Sequence, residues 1–274
     1  MSTVFDQMLE RYGNLPAEKL WNAKYEVTQQ IALAGLHRGG FFNKAAFYGG
    51  TCLRLFHHLR RYSEDMDFTL LHEDPKFHLE DYFQAIIDEF KLMGRDVSIT
   101  KKDKLTLGKV ESAFLKDETD VYNLTFQTEK ALKVKIEIDI HPPLEFQTEL
   151  KRQDDPRTFF VRCMTLPCLY AGKMHALAFR TWKTRVKGRD WYDFEWYVSN
   201  GIPLDYNHLR TRIKEFNGLD LEQAEFIELL RERLGTADID SVKADAIRFV
   251  ENRAELDIWS NDYFLQLADR IKFV

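Results

Sequence analysis

Residues 45–71 read AAFYGGTCLRLFHHLRRYSEDMDFTLL, and the fold of the chain turns on them. Ala45 to Tyr48 form a short apolar run that stops at Gly49-Gly50. Thr51 is placed to cap a helix carrying Leu53, Leu55, Phe56 and Leu59. Ser63 to Leu71 then alternate polar and apolar residues with the period of a strand. A strand that passes through two glycines into a helix brings bare backbone N–H groups and an electropositive helix end to one point. That arrangement suits a phosphate, with Gly49, Gly50 and Thr51 as its walls. A plain strand-to-helix turn would use the same glycines, so the pair needs support from its neighbours.

The support is acidic. On a strand through RYSEDMDF, Ser63, Asp65 and Asp67 share one face while Met66 and Phe68 share the other. Two carboxylates a few ångströms apart repel unless a cation sits between them. Hard oxygen ligands suit Mg²⁺, with Mn²⁺ as a substitute ion, and Mg²⁺ completes its shell with waters and phosphate oxygens. A second strand signal, Lys133 to Ile140, puts Ile136, Ile138 and Ile140 on its apolar face. Its other face carries Lys135, Glu137 and Asp139. If the two strands are neighbours, Glu137 or Asp139 completes a three-carboxylate cluster able to hold two metal ions. Solvated strand edges would show the same alternation.

Working outward, residues 16–37 read as a helix and 76–93 as an amphipathic one, with β-leaning runs at 96–101, 121–127 and 132–140. The polar stretch QTELKRQDDPRT, 147–158, reads as a linker. Helical patterns dominate from Leu166 onward, broken at Asn200-Gly201, Asn217-Gly218 and Gly235-Thr236. Two domains are expected, 1–146 bearing the sheet and 159–274 helical.

Net charge is -5 and Lys+Arg number 39 against 44 Asp+Glu, which disfavours broad clamping of a duplex. The amino terminus lacks the pattern of a secretory signal, and no apolar run approaches bilayer length. Cys52, Cys163 and Cys168 cannot all pair and read as reduced thiols of a cytoplasmic protein, without zinc spacing. His57-His58 lack a partner at metal-ligand spacing, and neither a nucleophile elbow nor a Walker loop occurs.

GGTCLRLFHHLRRYSEDMDF resembles the opening motif of the DNA polymerase β-like nucleotidyltransferase superfamily, and more narrowly that of the AbiEii/AbiGii toxin family. Leu169 to Leu177, with Lys173 at its centre, looks like that family's helical lysine motif, and Arg180 falls on the same helix face. Lys187 to Phe194 resembles the Arg-Asp-x-x-Asp motif, with Asp190 and Asp193 at i, i+3. The likeness spans roughly residues 45–200. It departs from the family where Leu177 replaces a frequent serine or threonine.

The resemblance implies an α/β (α+β) nucleotidyltransferase core with a mixed sheet, followed by a mainly helical carboxy-terminal lobe that closes over the nucleotide. It implies that Asp65 and Asp67, with Glu137 or Asp139, bind Mg²⁺. Gly49, Gly50, Thr51, Ser63, Lys173 and Arg180 would hold the NTP, and Asp190 would complete the catalytic set; the family's strand pattern favours Glu137. Partners implied are an NTP, a tRNA or other RNA 3′ end, and a cognate antitoxin of a phage-defence pair, with no membrane. A small-molecule or protein acceptor, or a non-catalytic nucleotide-binding role, is the alternative. The basic run Arg180, Lys183, Arg185, Lys187, Arg189 is either a solvated loop or a guide for an RNA end.

Overall fold

The structure, a computed structural model, describes residues 2–101, 119–127, 132–141, 145–180 and 186–274. The chain divides into two compact units. The first comprises Met1–His58, Ser63–Pro142 and Thr148–Cys163; the second comprises Leu59–Tyr62, Pro143–Gln147 and Met164–Val274.

The first unit is built on a mixed sheet of β1 (Ala45–Tyr48), β2 (Met66–Leu70), β3 (Val97–Lys101), β4 (Thr119–Phe126), β5 (Lys133–Asp139), β6 (Thr148–Gln153) and β7 (Phe159–Met164). Their spatial order is β3-β4-β5-β2-β1-β7-β6. β2 runs antiparallel to β1 and parallel to β5, and β1 runs parallel to β7. Met66, Phe68, Ile136 and Ile138 are all fully buried, so the apolar faces of β2 and β5 face the core, as their alternation requires. Helices α1 (Val4–Glu10), α2 (Ala17–Arg38), α3 (Gly49–His57) and α4 (Phe83–Leu92) complete the unit. α2 and α4 touch closely at Gly35, where a Cβ would stand 2.6 Å from the Ile86 Cα.

Three expectations change. The strand predicted from Ser63 begins only at Met66, because the carbonyls of Ser63 and Glu64 accept from the Gln29 amide and that of Asp65 from the Thr51 hydroxyl, none of them from a neighbouring strand. The helix predicted over 76–93 opens instead with an Asx-type turn, Lys76 N–H donating to the Asp74 carboxylate, and a 3-10 segment at Leu79–Tyr82. The expected linker 147–158 carries β6, the outermost strand on its side of the sheet. An edge strand keeps polar side chains such as Glu149, Lys151 and Arg152, and so hides its alternation.

The second unit is helical: α5 (Leu166–Phe179), α6 (Gly188–Ser199), α7 (Tyr206–Asn217), α8 (Gln223–Gly235), α9 (Ile239–Ala246) and α10 (Asn261–Ala268). The breaks expected at Asn200-Gly201, Asn217-Gly218 and Gly235-Thr236 fall at the ends of α6, α7 and α8. Tyr170 stacks on Tyr197 with ring centroids 4.2 Å apart, locking α5 to α6, and Trp191 meets Phe264 edge-on at 4.7 Å. Cys52, Cys163 and Cys168 are buried and free. Among the described residues no helix is long and apolar enough to cross a membrane.

α5 and α7 enclose two histidines held neutral. Burial first, and then the Arg212 charge, pushes His208 down to about 3 and His175 to about 4. Among the described residues neither ring nitrogen of His208 has a hydrogen-bond partner, whereas His175 meets the Asn217 side chain at 2.8 Å. A base whose folded pKa is depressed stays unprotonated below pH 6.5 while the unfolded chain takes up the proton. Stability is therefore full above that pH and falls as the pH drops toward 4. His208→Phe is expected to remove on the order of 1–2 kcal/mol of the stability lost between pH 7.5 and pH 5. Urea unfolding at the two pH values measures this; an unchanged pH dependence contradicts a neutral, buried His208.

Candidate active site

The acidic site begins with backbone register. β2 pairs with β5 so that Asp67 stands opposite Glu137 and Thr69 opposite Asp139. Parallel neighbours lie about 4.8 Å apart and side chains directly across share a face. Of the two candidates on β5, Glu137 is therefore the neighbour of Asp67. Asp139 lies one pleat further on, where its carboxylate accepts from the His141 N–H at 3.0 Å.

On its other side Asp67 pairs with Tyr48, the last residue of β1 and the N-cap of α3. The carboxylate of Asp67 is pressed against Gly49: a Cβ there would overlap Oδ2 and stand 2.9 Å from Cγ. Gly49 also has φ +81°, a left-handed conformation open to glycine at no cost. The glycine thus lets one acidic side chain reach the opening turn of α3, where the helix dipole favours negative charge.

The approach to the strand is held from below. Gln29, fully buried on α2, donates its amide hydrogens to the Ser63 carbonyl at 3.0 Å and the Glu64 carbonyl at 3.1 Å. Thr51, also fully buried, donates its hydroxyl to the Asp65 carbonyl. Thr51 does not cap α3, which starts two residues earlier at Gly49 and has no side-chain cap. Three consecutive carbonyls without strand partners are thereby satisfied, and Asp65 is fixed two residues before Asp67.

The Lys135 ammonium contacts the Glu137 carboxylate, a counter-charge already present on the acidic face. Among the described residues no group of three or more His, Cys, Asp or Glu side chains converges closely enough to hold a metal ion. The expected cluster of Asp65, Asp67 and Glu137 or Asp139 is brought together in part, through the pairing of Asp67 with Glu137. Asp67 and Glu137 are adjacent by register; Asp65 and Asp139 flank them along the strands. Two carboxylates remain a sufficient protein contribution for Mg²⁺, which takes its other ligands from water and phosphate.

The second unit gathers the remaining candidates around two buried acids on α6. Asp193 is fully buried and binds Arg61 in a fork, Nε to Oδ1 at 2.5 Å and Nη2 to Oδ2 at 2.7 Å; Lys173 Nζ reaches Oδ2 at 2.9 Å. Asp190 accepts from Arg180 Nη1 at 2.8 Å and lies 4.0 Å from Lys173 Nζ. The acid nearest Lys173 is thus Asp193. Burial alone would raise the Asp193 carboxyl, but the Arg61 and then the Lys173 charges overcome it and hold its pKa below the ordinary value.

Arg180 ends α5 as its C-cap and reaches Asp190 from there. Of the basic run, Lys183 and Arg185 lie outside the described residues, while Arg189 places its guanidinium 4.4 Å from the Phe249 ring centroid. His57, in the first unit, is partly buried and pushed down to about 4, chiefly by burial. Gln29 and Arg61 were not singled out in the sequence. A polar residue on the inner side of α2 and an Arg-x-Ser step before the acidic strand were the available signals.

The family model "Nucleotidyl transferase AbiEii toxin, Type IV TA system" matches residues 31–270. The chain belongs to this family of nucleotidyltransferase toxins. Among solved structures, it resembles MenT4, a nucleotidyltransferase toxin of Mycobacterium tuberculosis H37Rv, with a TM-score of 0.54 at 15% identity, covering 96% of this chain and 92% of that one. JHP933 from Helicobacter pylori is similar at a TM-score of 0.50 and 15% identity, covering 93% and 90%. At such identities the likeness concerns the fold. No curated protein matches.

Two substitutions test the geometry of the acidic site. Gly49→Ala is expected to cost about 1 kcal/mol in backbone strain and to displace the Asp67 carboxylate, lowering nucleotide transfer at least about tenfold. Full activity in that variant contradicts the close contact. Gln29→Met removes both donors to the Ser63 and Glu64 carbonyls and is expected to cost about 1–3 kcal/mol in denaturant unfolding.

Proposed function

We propose that this member of the family carries out Mg²⁺-dependent transfer of a nucleotide from an NTP to an RNA 3′ end, with tRNA as the acceptor, as the toxin of an antitoxin-restrained pair. The observation that carries the metal-dependent reading is the register that sets Asp67 beside Glu137 and against the glycine opening of α3.

In this reading Asp67 and Glu137 are the protein ligands of the metal, with Asp65 beside them on the same strand approach. Bound there, Mg²⁺ would lower the pKa of the attacking hydroxyl and neutralise the departing pyrophosphate. Lys135, now against Glu137, would yield its place to the ion. Gly49 and Gly50 leave the start of α3 free of side chains, which supports close approach of a phosphate oxygen. Thr51 and Ser63 act one step removed. Thr51 fixes the Asp65 carbonyl, and the Ser63 carbonyl is itself held by Gln29. Lys173 and Arg180 would supply positive charge for a triphosphate, Arg180 oriented by Asp190 and Lys173 chiefly by Asp193.

Support for an RNA acceptor comes from Arg189 and Arg248. Their guanidinium groups lie 4.4 Å and 5.8 Å from the Phe249 ring centroid, a combination of charge and aromatic surface suited to single-stranded nucleic acid. The net charge of -5 favours a second reading, in which the acceptor is a small molecule or a protein. Labelled NTPs incubated with the purified protein and separate tRNA, protein and small-molecule pools distinguish the acceptors. Label is expected in the tRNA pool, dependent on Mg²⁺. Asp67→Ala and Asp65→Ala are each expected to reduce it at least about a hundredfold, the several kcal/mol that a metal ion contributes. Equal labelling by wild type and Asp67→Ala contradicts the metal assignment.

A further inference from the structure

Among the described residues, several cations converge on the two buried acids of α6. Arg61, Lys173 and Arg180 bring three cations to the two carboxylates of Asp190 and Asp193. The cations are not equivalent. The Arg61 side chain is 2% exposed, whereas Lys173 and Arg180 are 18% and 24% exposed. Arg61 spends its whole guanidinium inward, with Nε and Nη2 on Asp193 and Nη1 on the Tyr62 carbonyl at 3.0 Å. Of the two cations on Asp193, Lys173 is therefore the accessible one. Without Arg61, Lys173 would be the one cation left on Asp193 among the described residues.

We propose that Arg61 is a positioning residue that saturates Asp193 from the buried side and so leaves Lys173 free to engage a polyphosphate anion. This rests on the assignment of Lys173 to the triphosphate made above. Arg61 touches neither nucleotide nor metal; it acts through Asp193. Its role is a matter of charge balance as well as packing, and the two can be separated. If balance is what counts, removing Arg61 and the Asp193 charge together restores one positive charge over the remaining acid. If packing alone counts, the double change is at least as harmful as the single one.

The test is calorimetric titration of inorganic triphosphate into the full chain in EDTA, at several KCl concentrations. The proteins compared are wild type, Arg61→Met, Arg61→Lys, Arg61→Met/Asp193→Asn and Lys173→Met, each checked for cooperative melting. Wild type is expected to bind with an affinity that falls as salt rises. Arg61→Met should bind about tenfold more weakly, and the double variant should recover to within about threefold of wild type. Arg61→Lys keeps the charge and should stay within the same threefold.

Wild-type affinity in Arg61→Met overturns the proposal, as does a folded double variant that binds as weakly as the single one. If Arg61→Met does not fold, a tenfold loss in folded Arg61→Lys overturns it, since the charge is retained there. Lys173→Met separates the two levels of the argument. Undiminished binding in that variant removes Lys173 from the anion site and the proposal with it. Loss in Lys173→Met alongside wild-type binding in Arg61→Met removes the role of Arg61 alone.

Discussion

A carboxylate occupying the space where a side chain would begin is the constraint on which the first unit depends. Asp67 Oδ2 stands where a Cβ on residue 49 would be, so the residue opening α3 has to be glycine and β1 has to end where β2 delivers its acid. The pairing of β2 with β5 then decides which acid of the neighbouring strand shares the face. Helix dipole, glycine conformation and strand register converge on one side chain. None of the three alone would concentrate negative charge so close to the backbone N–H groups at a helix start.

The carbonyls that lead into β2 are the less visible half of the same constraint. A segment leaving a helix and entering a strand cannot use either ladder, yet its carbonyls must find donors. Gln29 from α2 and Thr51 from α3 supply them, and both are fully buried. Their hydrogen bonds convert a stretch without regular structure into a fixed support for Asp65 and Asp67. A buried glutamine on the inner side of a helix is costly unless its amide is used, and here both hydrogens are.

The second unit solves a different problem, the burial of acids on α6. Asp193 is fully enclosed and would be driven toward its neutral form without nearby cations. Arg61 and Lys173 keep it ionised from two directions, and Arg180 pairs with Asp190. Solved structures at 15% identity share the fold over nine-tenths or more of each chain, so few positions need to be shared for it to persist.

Several things were fixed by the sequence alone: strand, double glycine, helix and acidic strand in order; the helical second half with its breaks; and the acidic and lysine motifs on which the family resemblance rests. These are local signals, carried by residues within one or two turns of each other. β6 escaped notice because an edge strand need not alternate, and the late start of β2 did because its carbonyls are satisfied by side chains far away in sequence. The choice of Glu137 over Asp139 as the neighbour of Asp67 depends on register, and two residues with the same parity on a strand are indistinguishable until a partner strand is laid beside them. Gln29 is 34 residues from Ser63, and Arg61 is 132 from Asp193. Only the folded chain brings such pairs together, because hydrogen bonds and ion pairs of this kind depend on distance in space and leave no period along the chain.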